Sequence, residues 1–292
     1  MNITMNDIFN FRRFGKYFTS DIRSCAANYG LSMLLISMMG LIIYAGTIIM
    51  GLIFKGQWSG PELGFRITTF AVCLVCLTFT MPVKCYGRVT EKRFGTQWLM
   101  IPASSFEKSL SMIILNAIVM PVAMCTVYFL MDAILCGLDG TGGASIAGSL
   151  KALLDKFLEV SLASQSDISE FPALAHFVKQ VSCPWLYVDD IIQMFLITLA
   201  GAVIFTKGKT SKTILCFIAI TTALGLVLTP VSSAVFKEFA TLNFEANTPE
   251  AMNQLFGMWP FRHAALLDTV NDTLINLGLI IGIYFRVKTL KH

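Results

Sequence analysis

Two aspartates and an asparagine stand one helical turn apart near the end of the chain, inside an otherwise apolar stretch. Asp268, Asp272 and Asn276 recur at intervals of four residues, which places them on one side of a helix. Charged groups at bilayer depth are costly, so this stripe should face protein or water and would line a path for a substrate or an ion. The alternative is that the apolar helix begins near Thr273 and both aspartates lie among the outer headgroups. Only 13 residues run from Thr273 to Phe285, too few to span a bilayer, so at least Asp272 is expected within the embedded part.

The segment 84–108 carries a second set of polar residues with defined spacing. Ser104 and Glu107 have the S-x-x-E spacing of a capping box, in which each side chain accepts a hydrogen bond from the other residue's backbone N–H. Pro102 interrupts the chain just before this pair, Lys108 follows it, and an apolar stretch starts at once. Local chemistry therefore fixes the start of a helix at this point.

Three apolar side chains precede the capping box. Phe94, Trp98 and Leu99 would form one apolar face if this part of the segment is a short helix lying along the membrane. The alternative is a plain loop followed by a capped helix. We expect Trp98 to be an aromatic anchor of the kind that dominates protein interfaces.

Groups suited to catalysis are sparse. Gly208-Lys209-Thr210 resembles the end of a phosphate-binding loop, but Val203 stands where that motif requires its first glycine. Histidine occurs only at positions 176, 263 and 292, and no HExxH or GxSxG motif is present. We therefore expect no enzymatic activity, no cofactor and no bound metal, and any ATP that drives this protein should be bound by another chain.

Composition indicates a chain that lies in a membrane. Of 292 residues, 55% are hydrophobic and only 14% are charged, and the mean hydropathy is +0.69. Soluble domains average about 45–50% apolar and about 25% charged residues. So few charges cannot cover the surface of a soluble fold. A soluble enzyme, a disordered chain, a disulfide scaffold and a nucleic-acid binder are therefore excluded.

The chain contains several apolar stretches of spanning length. A membrane-spanning helix needs about 20 predominantly apolar residues. This criterion predicts an all-α polytopic membrane protein with six transmembrane helices, at residues 30–54, 65–83, 110–136, 186–205, 214–236 and 264–285.

The positions of the cations predict the orientation of these spans. With a cytoplasmic N-terminus, fifteen Lys and Arg residues fall in inner segments and seven in outer segments. Cytoplasmic loops carry an excess of Lys and Arg, so both termini are predicted inside, in a bacterial inner membrane. The largest outer connection is then 137–185.

Residues 1–29 precede the first span and are basic and aromatic. Their apolar and basic residues recur at helical spacings on different faces. The apolar stripe contains Phe11, Phe14 and Phe18, and the cations beside it are Arg12, Arg13 and Lys16. This pattern predicts an amphipathic helix lying in the headgroup plane of the bilayer, with its cations on anionic lipid. The alternative is a helix packed on the protein itself.

Three stretches of the chain resemble a family of bacterial membrane proteins. Ile101 to Lys108, IPASSFEK, is similar to the LPAS..EK signature of that family, with Ile101 in the place of leucine. The N-terminal FNFRRFGKYFTSDIRSCAANYGLS and the C-terminal IYFRVKTLKH look like the ends of the same family. Its members are described as permease-like subunits of the exporter class of ABC transporters. The resemblance implies a six-span permease that works as a homodimer or heterodimer with a separate ATP-binding subunit.

Under this hypothesis, segment 84–108 is the cytoplasmic element that contacts the ATPase. A hypothesis of a different class is a non-transporting membrane scaffold or sensor, whose outer segment 137–185 contacts an envelope partner. The size of that segment and the lack of an obvious ion pathway favour this alternative.

Overall fold

A computed structural model describes residues 9–58, 60–140, 145–149, 184–220, 222, 223, 226 and 262–290. All the regular secondary structure in these ranges is helical, and they contain no strand. The principal helices are α1 Phe11–Ser37, α2 Met39–Lys55, α3 Leu63–Tyr86, α4 Lys92–Leu99, α5 Ser105–Ile114, α6 Met120–Asp139, α7 Pro184–Ile204 and α8 Ala264–Thr289.

Four helical segments of the described residues are long and apolar enough to cross a membrane. They are Phe11–Lys55, Leu63–Thr90, Ser105–Asp139 and Leu266–Thr289. The predicted all-α membrane chain is therefore confirmed at this level, and these segments cover the predicted first, second, third and sixth spans almost completely. Helix α7 nearly coincides with the predicted fourth span. The greater part of the predicted fifth span and of the segment 137–185 lies outside the described residues.

The N-terminal helix does not end where the predicted interfacial segment meets the first span. Helix α1 starts after Asn10, whose side chain accepts hydrogen bonds from the backbone N–H groups of Arg12 and Arg13. It continues through Gly30 to Ser37, because no proline or capping residue stops it there. A single residue, Met38, separates α1 from α2. The basic segment and the start of the first apolar span thus share α1, and α2 contains the rest of that span.

Proline interrupts the third predicted span without ending it. Pro121 has no N–H to continue the hydrogen-bond ladder of an α-helix. Just before it, Leu115–Val119 forms a π-helical turn, in which the N–H of Met120 donates to the carbonyl of Leu115. This turn absorbs the change of register, so helical structure continues from α5 into α6.

The chain divides into two compact units. The first contains Met1–Lys151, Met194–Thr213 and Gly278–His292, and the second contains Ala152–Gln193 and Ile214–Leu277. In the first unit α1 packs along α3, α5 and α6, and α2 packs on α3 and α6. The fully buried side chains of this unit include Leu77, Met81, Met112, Leu115, Met124, Phe195 and Leu196.

A buried ion pair joins α3 to α6 in the first unit. The Arg66 guanidinium lies 2.9 Å from the Asp132 carboxylate, and both side chains are almost inaccessible to solvent. Asp132 also accepts a hydrogen bond of 2.6 Å from the backbone N–H of Ile146. The aspartate therefore connects α6 with the start of the next helical segment.

Candidate functional site

Segment 84–108 folds into two short helical elements and a capped helix start. A 3-10 turn at Gly87–Thr90 precedes α4, and the chain then bends through Pro102 into α5. Both bonds of the capping box are present. The backbone N–H of Glu107 donates to Ser104 Oγ at 3.1 Å, and that of Ser104 donates to Glu107 Oε2 at 3.0 Å. The predicted capping box and the predicted short helix are both confirmed.

Glu107 also forms hydrogen bonds with residues at the start of α1, which the local sequence pattern does not predict. Arg13 Nε donates to both carboxylate oxygens, at 2.8 and 3.0 Å, and the backbone N–H of Asn10 donates at 2.9 Å. The Glu107 side chain is fully buried. Burial alone would raise the pKa of Glu107, but hydrogen bonds from Arg13, Asn10 and Ser104 together hold it below its usual value.

Trp98 is half-buried and makes polar contacts within the chain. Its indole N–H donates to the Tyr17 hydroxyl at 3.2 Å, and the Lys108 ammonium lies 4.8 Å from the centre of its ring. Lys108 also donates to the carbonyls of Trp98 and Leu99, at 3.0 and 3.2 Å, at the C-terminal end of α4. Trp98 therefore anchors α4 within the chain, and its expected role at an interface with a partner stays a prediction.

Several apolar side chains of this segment are exposed. Phe94 is 42% exposed, Leu99 37% and Met100 83%. Ile101 and Phe106 continue the exposed apolar surface past the bend. We call the five residues Phe94, Leu99, Met100, Ile101 and Phe106 the apolar patch.

Asp21 on α1 forms hydrogen bonds with the helices on either side of segment 84–108. The Tyr86 hydroxyl and the Ser111 hydroxyl both donate to Asp21 Oδ2, at 2.9 and 2.6 Å. Tyr86 ends α3 and Ser111 lies in α5. One aspartate on α1 therefore fixes the spacing of the two helices that segment 84–108 connects.

The sequence Gly208-Lys209-Thr210 has a structural role in the first unit. Lys209 is buried, and its ammonium donates to the carbonyl of Gly87 and, at 2.7 Å, to the hydroxyl of Thr90. Burial lowers the pKa of the Lys209 ammonium. The lysine thus attaches residues 206–213 to the 3-10 turn before α4 and is not available to a phosphate.

Helix α1 has one face packed on the protein and one exposed face. The rings of Phe14 and Phe18 stack on each other with their centres 5.6 Å apart, and both are half-buried. Phe11 is exposed, and so are Arg12 and Lys16. A shallow open groove on this face is lined by Phe11, Arg12, Gly15, Lys16, Thr19, Ser20 and Arg23. The helix therefore packs on the protein through one face and presents a cationic face outward, while Arg13 lies on the protein side.

In the second unit, α7 and α8 contact each other through the predicted polar stripe. Asp272 and Asn276 are buried, whereas Asp268 is exposed. Asn276 Nδ2 donates to Asp189 Oδ1 at 2.9 Å, and Gln193 Nε2 is 3.4 Å from Asp272 Oδ1. Asp272 and Asn276 of the stripe thus face protein, and their hydrogen-bond partners lie on α7.

Within the described ranges, no group of three or more His, Cys, Asp or Glu side chains could hold a metal ion. No protein-family model, no curated protein and no solved structure matches the chain. The contacts and the exposed side chains of segment 84–108 are the features that indicate a function.

Proposed function

We propose that this chain is the membrane-spanning, permease-like subunit of an ATP-driven exporter. In this proposal the chain has six spans with both termini in the cytoplasm. It works as a dimer, and segment 84–108 contacts a separate ATPase subunit. The observation that carries the proposal is that segment 84–108 is held to the chain by polar contacts and also carries the exposed apolar patch. Trp98 and Lys108 make the polar contacts, and the side chains of the patch are each more than a third exposed.

A firm attachment to the spans is what a coupling element requires. Motion can pass from an ATPase to a membrane helix only through contacts that have discrete, well-defined arrangements. Lys108 holds the last carbonyls of α4 and also lies at the start of α5. Glu107 joins the same turn to α1. A displacement of α4 would therefore be transmitted to two helices that enter the apolar part of the protein.

The exposed apolar patch supports a protein partner at this surface. Aromatic residues and methionine are enriched at the buried centres of protein interfaces. Arg88 also lies 5.1 Å from the centre of the Phe94 ring, which places a cation at the border of the patch. An apolar centre with a charged border is the arrangement expected of a docking surface for a soluble subunit.

The cationic face of α1 supports the proposed orientation. Arg12, Lys16 and Arg23 point away from the protein and could contact anionic headgroups of the cytoplasmic leaflet. Reporter fusions after residues 160, 208 and 250 test the topology. We expect a cytoplasmic signal at 208 and external signals at 160 and 250. An external signal at 208 would rule the orientation out.

Partner capture tests the function itself. The full-length tagged chain, purified from its native membranes in mild detergent, should retain a stoichiometric subunit with a phosphate-binding loop and measurable ATPase activity. Met100→Asp should abolish most of this association, because it places a charge on the most exposed side chain of the patch. Phe11→Asp is the matched control, since Phe11 is equally exposed, at 82%, but lies outside the patch.

The two variants and the wild type discriminate between the candidate functions. Equal loss in Met100→Asp and Phe11→Asp would show that the patch has no specific role. If the wild type retains no ATPase, the exporter proposal fails. A non-transporting scaffold, with an envelope partner held by residues 137–185, would then be favoured.

A further inference from the structure

Four aspartates of the second unit lie on the facing helices α7 and α8. Asp189 and Asp190 are near the start of α7, and Asp268 and Asp272 are on α8. Asp189 and Asp272 are close enough for their charges to repel, and Asp268 acts on Asp189 in the same sense. None of the four has a Lys or Arg within ion-pair distance among the described residues. The cluster thus concentrates negative charge on two facing helices.

A buried acceptor atom adds a second and independent observation. Asn276 is only 9% exposed, and its Oδ1 atom has no hydrogen-bond partner. The orientation of this amide is fixed by chemistry, because Nδ2 donates to the carboxylate of Asp189. Buried polar atoms are almost always paired, so an unpaired carbonyl oxygen on a residue that contacts the acidic cluster calls for an explanation. A positively charged ligand would supply the missing partner.

We propose that this cluster is a binding site for a monovalent cation. The ligand atoms would be the carboxylate oxygens of Asp189 and Asp272 and the Oδ1 atom of Asn276. Oxygen donors of this kind suit hard cations. Ca²⁺ takes about 6–8 oxygen ligands, so a donor set of two carboxylates and one amide oxygen favours a singly charged ligand.

The two exposed aspartates would attract cations to this site. Asp190 and Asp268 are solvent-exposed and add their charges to the same region. Clusters of one sign raise the local concentration of the opposite ion. The inference is independent of an ATPase partner, since a cation site would serve an exporter or a protein of another class equally well.

Equilibrium binding of radioactive sodium to the purified full-length chain in detergent tests the site. The wild type should bind ²²Na⁺ saturably. Asp189→Asn and Asp272→Asn should each weaken binding at least tenfold. Both changes keep an Oδ1 acceptor for the hydrogen bond that the aspartate receives, so they remove charge with little change of shape. Glu62→Gln is the matched control, because it removes an exposed carboxylate from the first unit and should leave binding unchanged.

Competition and thermal unfolding complete the experiment. Excess K⁺ and excess tetramethylammonium, added separately, show whether an inorganic or an organic cation displaces ²²Na⁺ better. The melting temperature of the wild type should rise when Na⁺ replaces N-methyl-D-glucamine at constant ionic strength. The two asparagine variants should show normal folding by size exclusion and circular dichroism but no such rise. Absence of saturable ²²Na⁺ binding, or equal affinity in the folded variants, would overturn the proposal.

Discussion

Removing the charge of Glu107 should release the N-terminal helix from the rest of the first unit. The Glu107 carboxylate accepts from Arg13, from the backbone of Asn10 and from the backbone of Ser104. Glu107→Gln preserves the length of the side chain and still satisfies the S-x-x-E/Q pattern of a capping box. The substitution therefore tests the contact with α1 more than the start of α5.

The size of the effect follows from the burial of the two partners. Breaking a fully buried ion pair costs about 3–5 kcal/mol. Arg13 is 37% exposed, so solvent screening reduces this figure. A charge-assisted hydrogen bond is worth about 1.5–3 kcal/mol and a neutral one about 0.5–1.5 kcal/mol. We therefore expect a loss of about 2 kcal/mol in the docking of α1, which corresponds to a roughly 30-fold larger undocked population.

Limited trypsin digestion measures this population directly. Lys16 and Arg23 are exposed on α1, but cleavage requires the helix to open locally. When reclosing is fast, the cleavage rate follows the open population, so Glu107→Gln should be cut roughly 30 times faster than the wild type. Glu91→Gln is the control, because it removes an exposed carboxylate from the same segment and should change the rate less than twofold. A rate for Glu107→Gln within threefold of the wild type would refute the reasoning.

Three further predictions concern pH, packing and the buried ion pair. Because the pKa of Glu107 is lower in the folded than in the unfolded protein, its carboxylate should stabilise the docking of α1 fully at neutral pH and lose this effect as the pH falls below about 4. Hydrogen exchange in α1 should therefore rise at low pH in the wild type but not in Glu107→Gln. Gly40→Ala should lower the melting temperature by an amount corresponding to about 1–3 kcal/mol, because a Cβ atom there would lie 2.8 Å from the Tyr128 ring, whereas Gly46→Ala meets nothing within 4 Å and should be neutral or stabilising. Arg66→Met should destabilise the protein by about 3–5 kcal/mol, because it leaves the buried Asp132 carboxylate without its ion-pair partner. The double variant Arg66→Met with Asp132→Leu should recover part of the resulting decrease in melting temperature.

Some features of this protein follow from residues that are neighbours along the chain. Apolar runs of spanning length predicted the helices that the structure contains, because a backbone in lipid must satisfy its hydrogen bonds within its own segment. The capping box at Ser104 and Glu107 was also predictable, since a separation of three residues fixes both hydrogen bonds. The structure also contains the short helix α4 that the spacing of Phe94, Trp98 and Leu99 indicated, in place of the alternative plain loop.

The helix boundary near residue 30 was a different case. The change from basic to apolar composition marks where the surroundings of α1 change, but helical propensity continues across it. A sequence can therefore indicate a boundary between environments where the backbone has none. The prediction of an interfacial helix likewise gave the amphipathic character of α1, but not which of its faces packs on the protein.

The contacts that build the candidate sites were decided by the tertiary structure. Arg13 and Glu107 are 94 residues apart, Asn276 and Asp189 are 87 apart, and Lys209 and Gly87 are 122 apart. No local spacing connects such pairs, and helices that are apolar around most of their surface give little indication of which face meets a neighbour. The contacts of Trp98 have the same origin, because helix packing brings Tyr17 and Lys108 to its side chain. The sequence determined which segments are helical and where the capped helix α5 starts, since those properties depend on residues three or four positions apart. The pairing of buried charges depends on how the helices pack, and the fold alone decided it.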